Sequence, residues 1–211
     1  MSSHQCTDNP PNLDPNSGSG HVEKLGGLDT YLSGSTHSKL AVVLVSHVFG
    51  YETPQLRKLA DKVAEAGFYA VEKGFEDSKP VVEALKNKGI TAIGAAGFCW
   101  GAKVAVELAK QELVKAVVLL HPSRVTVDDI KGDKVPVSVL GAEFDQVTPP
   151  ELVMQFEDVL ATKPEVKSFV KIFPRVKHGW SVRYNVNDPS EVEAAEEAHK
   201  DMLAWIIDHV K

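Results

Sequence analysis

The chain has 211 residues, of which 43% are apolar and 25% charged. That is enough for one ordinary core, and it excludes a disordered chain, a collagen-like repeat and a small disulfide scaffold. The net charge of −6 argues against nucleic acid or an anionic membrane as the main partner.

Residues 1–20 are rich in Ser, Asn, Pro, Gly and Asp. They read as a flexible leader, without the basic and apolar regions of a secretory signal. Residues 21–211 read as a single domain. The run Leu40–Val45 is continuously apolar, as in a strand buried on both faces. Thr53-Pro54 opens a helix that carries Leu56, Leu59, Ala60, Val63 and Ala64 on one face and stops at Gly67. A short strand over 68–71, a helix over about 75–88 and a buried strand over 90–96 follow. The spacing then predicts a helix over 103–110 and strands at Ala116–Leu120, 135–140 and 168–173. Thr148-Pro149-Pro150-Glu151 has capping-box spacing, and Asp188-Pro189-Ser190-Glu191 opens a last helix to about Val210. This alternation implies an α/β fold, a mostly parallel sheet with helices on both faces. Ligands bind such sheets at the carboxyl ends of the strands. The loops after Val45, Ala96, Leu120, Leu140 and Phe173 are where chemistry is expected.

Gly97-Phe98-Cys99-Trp100-Gly101 joins a buried strand to a helix. It is the nucleophile-elbow pattern G-x-S-x-G with Cys in place of Ser. Small neighbours let the backbones approach, and a helix N-terminus favours a thiolate. A nucleophile needs a base, and the base an orienter. Asp145 follows one strand, with Glu143 as a rival of the same type, and His178 follows another. The order Cys99, Asp145, His178 is the nucleophile–acid–base order of α/β-hydrolases. The oxyanion donors expected are the backbone N–H groups of Trp100, after the nucleophile, and of Val48 in the loop after the first core strand. His47, Phe49, His121, Trp180 and Arg183 are candidate pocket residues. The two cysteines, Cys6 and Cys99, form no disulfide framework, so a reducing, cytoplasmic location is expected. No zinc-ligand spacing is present, and no metal or cofactor is expected.

These segments resemble the dienelactone hydrolase family. The carriers are Val48-Phe49-Gly50, Gly97-Phe98-Cys99-Trp100-Gly101, Gly141-Ala142-Glu143-Phe144-Asp145 and His178-Gly179-Trp180. The chain is especially similar to a plant branch with members labelled endo-1,3;1,4-β-D-glucanase. The resemblance implies an α/β-hydrolase fold whose Cys–His–Asp triad acts on small esters or lactones through a thioester, in a monomer or weak dimer. It also marks two departures. His47 stands where the family usually has an acidic residue. After residues 68–71 the chain passes directly to Glu72-Lys73-Gly74-Phe75, as though a family segment around 71–75 that shapes the pocket and supplies a substrate-binding Arg were missing. Arg183 is the nearest remaining candidate for an anion contact. Two alternative readings follow: a glucanase-like glycoside hydrolase using Glu143 and Asp145, or a relative impaired by the missing segment.

Overall fold

The computed structural model describes residues 4–74 and 78–211. Eight strands form one sheet: β1 (His21–Leu25), β2 (Leu28–Ser33), β3 (Leu40–Val45), β4 (Tyr69–Lys73), β5 (Ala92–Phe98), β6 (Ala116–Leu120), β7 (Val137–Phe144) and β8 (Ser168–Lys177). Their order is β1-β2-β4-β3-β5-β6-β7-β8. From β4 to β8 every neighbouring pair is parallel. β1 and β2 add an antiparallel hairpin at one edge, which the sequence reading did not anticipate. The hairpin turn is Gly26-Gly27, with φ of 61° and 84°. Only glycine enters that mirror-image turn without strain.

β3 shows why the apolar runs become central strands. Ala41, Val43 and Val45 point into one core layer and Val42 and Leu44 into the other, and all five are fully buried. Each Val or Leu so placed contributes about 1.5–3 kcal/mol. Six helices cover the sheet: α1 (Pro54–Glu65), α2 (Lys79–Asn87), α3 (Trp100–Lys110), α4 (Val127–Gly132), α5 (Pro150–Ala161) and α6 (Pro189–His209). α2, α3, α4 and α5 close one face, and α1 and α6 close the other. No helix among the described residues is long and apolar enough to cross a membrane.

Several expected boundaries move. β4, β5, β7 and β8 run past their expected carboxyl ends to Lys73, Phe98, Phe144 and Lys177, because the sheet continues through polar positions into the site loops. α3 begins at Trp100 rather than at residue 103, directly behind Cys99. The expected start at Phe75 lies outside the described residues, as does part of the proposed 71–75 deletion. α4 was not anticipated, although Thr126 and Asp129 form a reciprocal capping box. The box expected at Thr148 does not form. Pro149 is the N-cap of α5, and Thr148 Oγ1 instead donates to the Pro122 carbonyl at 2.7 Å, tying two site loops together.

The leader is also different from expectation. Instead of a loose tail, residues 4–20 lie against the domain. Arg57, 1% exposed, donates to the carbonyls of Pro15 at 2.6 Å and Ser17 at 3.3 Å. Asp61 accepts the Ser19 N–H at 2.8 Å, and Tyr31 Oη accepts that of Gly20 at 2.6 Å. His4–Cys6 forms a single 3₁₀ turn that ends in the buried Cys6.

Candidate active site

Five strand ends converge. Just beyond β3, β5, β6, β7 and β8 stand His47, Cys99, His121, Asp145 and His178, each at most 5% exposed. Cys99 sits at φ 53° and ψ −112°, a region that costs a non-glycine residue about 1–3 kcal/mol and persists only when the surroundings impose it. The surroundings here are two glycines. A Cβ on Gly97 would stand 2.3 Å from the Gly101 carbonyl oxygen, and one on Gly101 would stand 2.0 Å from that of Val45. β5 and α3 can pack this closely only without those side chains. The Cys99 backbone is held by its N–H to the Leu120 carbonyl at 3.2 Å and by its carbonyl, which accepts the Ser123 N–H at 2.9 Å.

Asp145 and His178 form the expected pair. Asp145 Oδ2 lies 2.8 Å from His178 Nδ1. Asp145 Oδ1 accepts the N–H groups of Val147 at 2.7 Å and Thr148 at 3.0 Å, which aims the other oxygen. Burial works against a charged His178, but Asp145 and Cys6, through hydrogen bonds and charge, together outweigh it and the imidazole pKa is raised. Glu143, the rival acid, is exposed and accepts the Arg175 N–H at 2.6 Å, away from the imidazole.

The remaining candidates separate. His47 is buried, and its Nδ1 accepts the Phe49 N–H at 3.2 Å. Burial, then Arg183, push its pKa down to about 3, so it is a neutral imidazole where the family usually has an acid. His121 is also held neutral by burial and by its charged neighbours. It lies 2.9 Å from Ser181 Oγ and edge-on to His178 and Trp180. Among the described residues, neither histidine makes a hydrogen bond to a carboxylate comparable to that of His178 with Asp145. The Trp100 ring is capped by the Arg124 guanidinium at 3.9 Å.

Arg183 is turned toward the leader. The guanidinium, 6% exposed as a residue, donates to the carbonyls of Cys6 at 3.2 Å, Gln5 at 3.0 Å and His178 at 3.3 Å, and to that of Asp8. Asn9 Nδ2 returns a bond to the Arg183 carbonyl at 2.8 Å. Arg183 thus anchors the leader, and it also lines the cavity over the Asp145–His178 pair. Gly179, at φ 91°, leaves the room: a Cβ there would stand 2.1 Å from the guanidinium.

What that anchor delivers is Cys6, which the sequence reading left in a polar tail. Its Sγ lies 4.0 Å from His178 Nε2 and 3.8 Å from Ser123 Oγ. The ligand atoms of Cys6, Cys99 and His178 all fall within 4.8 Å of one another. The two thiols thus stand within 4.8 Å of each other. The Cys99 thiol, then His178, hold Cys6 down at about 4 against the effect of burial, while Cys6 and burial push Cys99 up. Two sulfurs and an imidazole are donors that suit zinc. The Arg183 guanidinium, bonded to the Cys6 carbonyl, puts a fixed positive charge beside them, which opposes a cation. No local signal in the leader marks Cys6, because its partners lie far along the chain.

A cavity of about 760 Å³ opens over the pair, lined by Asp145, His178, Trp180 and Arg183 and, from the leader, by Gln5 and Asp8. His47, Phe49 and His121, expected in the pocket, do not line it, and neither does Cys99. The leader contributes Gln5, Asp8 and Asn9 to the cavity wall.

Comparison with known proteins accords with the geometry. The sequence profile of the dienelactone hydrolase family matches residues 70–210. A maize protein described as endo-1,3;1,4-beta-D-glucanase is 41% identical over 193 residues, covering 77% of this chain; the match spans 63% of the maize protein. A carboxymethylenebutenolidase homolog of Xenopus tropicalis is 30% identical over 198 residues, 79% of this chain and 80% of its own. In structure, a dienelactone hydrolase-like promiscuous phosphotriesterase from metagenomic libraries superposes with a TM-score of 0.69 at 16% identity, covering 90% of this chain and 97% of that one. With the profile spanning most of the chain and the sheet order, elbow and acid–imidazole pair in place, the protein belongs to the dienelactone hydrolase family.

Proposed function

We propose that the chain hydrolyses small esters or lactones through Cys99, His178 and Asp145. The observation that carries this reading is the 2.8 Å contact between Asp145 and His178, beside a cysteine held at an elbow that two glycines make possible. His178 takes the thiol proton of Cys99, and the sulfur attacks the carbonyl carbon. The N–H groups of Val48 and Trp100 hold the oxyanion. The carbon–oxygen bond to the leaving alkoxide breaks as His178 returns the proton. Water, deprotonated by His178, then cleaves the thioester and restores the thiol. Asp145 orients the ring and stabilises its charged form. The leader must move aside before Cys99 meets a substrate, since Cys99 is fully buried with Cys6 beside it.

A glucanase reading has the maize relative's name in its favour. Its carboxylates are otherwise engaged: Asp145 binds His178 and two backbone N–H groups, and Glu143 binds the Arg175 N–H. That chemistry needs one acid and one base or nucleophile flanking the bond. The deciding experiment measures turnover of aryl esters and lactones by the wild type and Cys99→Ala, with iodoacetamide labelling of Cys99 across pH. Turnover abolished by Cys99→Ala supports the hydrolase reading. Folded protein with an unreactive Cys99 and no turnover overturns it in favour of an impaired relative, and glucan cleavage that survives Cys99→Ala favours the glucanase.

A further inference from the structure

We propose that Cys6 and Cys99 are a paired modification site, which a peroxide converts into a disulfide that fastens the leader over the nucleophile. The chain has two cysteines, and the fold brings both to one buried point. Their sulfurs lie within 4.8 Å of each other and of the His178 imidazole, although they are 93 positions apart in sequence. The placement is built rather than incidental. Arg183 fixes the carbonyls of Gln5, Cys6 and Asp8, Gln5 Nε2 donates to the Phe144 carbonyl at 3.2 Å, and the Gln146 N–H donates to Gln5 Oε1 at 2.6 Å. The segment on both sides of Cys6 is therefore docked, and the cavity lined by Gln5 and His178 leads a small oxidant to within one residue of the thiol.

The chemistry closes without further groups. The Cys6 thiolate, favoured beside His178, attacks one oxygen of hydrogen peroxide. The O–O bond breaks, the other oxygen leaves as hydroxide and takes a proton to become water, and Cys6 becomes a sulfenic acid. The Cys99 sulfur then attacks the Cys6 sulfur, giving its proton to the departing hydroxyl, which leaves as a second water. Two thiols and one peroxide yield one disulfide and two waters. The sulfurs lose two electrons and the peroxide gains them. The resolving thiol already stands beside the sulfenic acid, so closure outruns further oxidation. The consequence for turnover rests on Cys99 being the nucleophile, but the disulfide does not.

The test treats the reduced full-length protein with hydrogen peroxide and follows intact mass, titratable thiols and linked peptides, alongside ester turnover. The expected result is a mass lower by two hydrogens, both thiols lost within one chain, and a linked peptide joining Cys6 to Cys99. Ester turnover falls in step and returns with dithiothreitol. In Cys6→Ser the mass instead rises by added oxygen and turnover does not return. Both thiols still titratable, oxygen added to wild type without a link, or links only between chains would each overturn the proposal. A Cys6–Cys99 link in protein that never turns over an ester would leave the modification standing and remove the hydrolase reading.

Discussion

Gly101 approaches β3 so closely that a Cβ on it would stand 2.0 Å from the carbonyl oxygen of Val45. Backbone cannot yield as a flexible side chain can. Overpacking of this kind costs about 1–3 kcal/mol and occasionally more. Gly101→Ala should lower the denaturation midpoint accordingly and, in protein that still folds, reduce Cys99 alkylation by displacing the elbow. A variant as stable as the wild type would show that β3 and α3 are not in contact at this point.

Asp145 holds His178 by one oxygen and is itself held by two N–H groups through the other. Asp145→Asn keeps the shape and removes the charge. Ester turnover should fall about 10³–10⁴-fold, the scale seen when an orienting carboxylate is lost from a triad. The His178 imidazole, raised by Asp145 despite its burial, should titrate at lower pH, which NMR of the ring protons reads directly. Unchanged titration would refute the role given to the carboxylate.

Arg183 reaches the carbonyls of Gln5, Cys6 and Asp8 together, which needs the planar fork of a guanidinium. Arg183→Lys keeps the charge and loses the fork. A single charge-assisted hydrogen bond contributes about 1.5–3 kcal/mol, so labelling of Cys99 by iodoacetamide and proteolytic cleavage within residues 4–20 should each rise at least about tenfold. Equal labelling rates in the two proteins would mean that the leader is held elsewhere.

Glu72 on β4 is fully buried, and neither carboxyl oxygen finds a hydrogen-bond partner among the described residues. Burial raises its pKa well above 4.5, more than Arg57 lowers it. The folded chain therefore keeps a proton that the unfolded chain releases near 4.5, and stability from this group is lost as pH rises above that value. Glu72→Leu should remove this slope and be more stable near neutral pH, by about 1–4 kcal/mol if it follows other replacements of buried charge. Urea midpoints at several pH values measure both. A variant that parallels the wild type across the range would show that Glu72 is solvated.

Parts of the fold and of the site were legible in the sequence. The central strands were, because continuous runs such as Leu40–Val45 have no other place to go than between two helix layers. The placing of Cys99, Asp145 and His178 at strand ends was legible because elbow glycines and strand ends leave local marks. β1 was not: of His21–Leu25 only Leu25 is buried, so an edge strand carries no apolar pattern, although Gly26-Gly27 offered a hairpin signal. The docking of Cys6 and the leader contacts of Arg183 were missed for a different reason. Each looks like a solvated residue locally, and each is defined by the other across the whole chain. The join after residues 68–71 was read from resemblance, and part of it lies outside the described residues.

The docked leader is a tethered competitor. It travels with the site, so its local concentration does not fall when the protein is diluted, and no excess of free thiol peptide is needed to keep it in place. On the proposed mechanism, a substrate reaches Cys99 only in the fraction of molecules whose leader has lifted. Each tenfold bias toward the docked arrangement therefore raises the substrate concentration for half-saturation about tenfold, or about 1.4 kcal/mol, with no change in the chemistry of the triad.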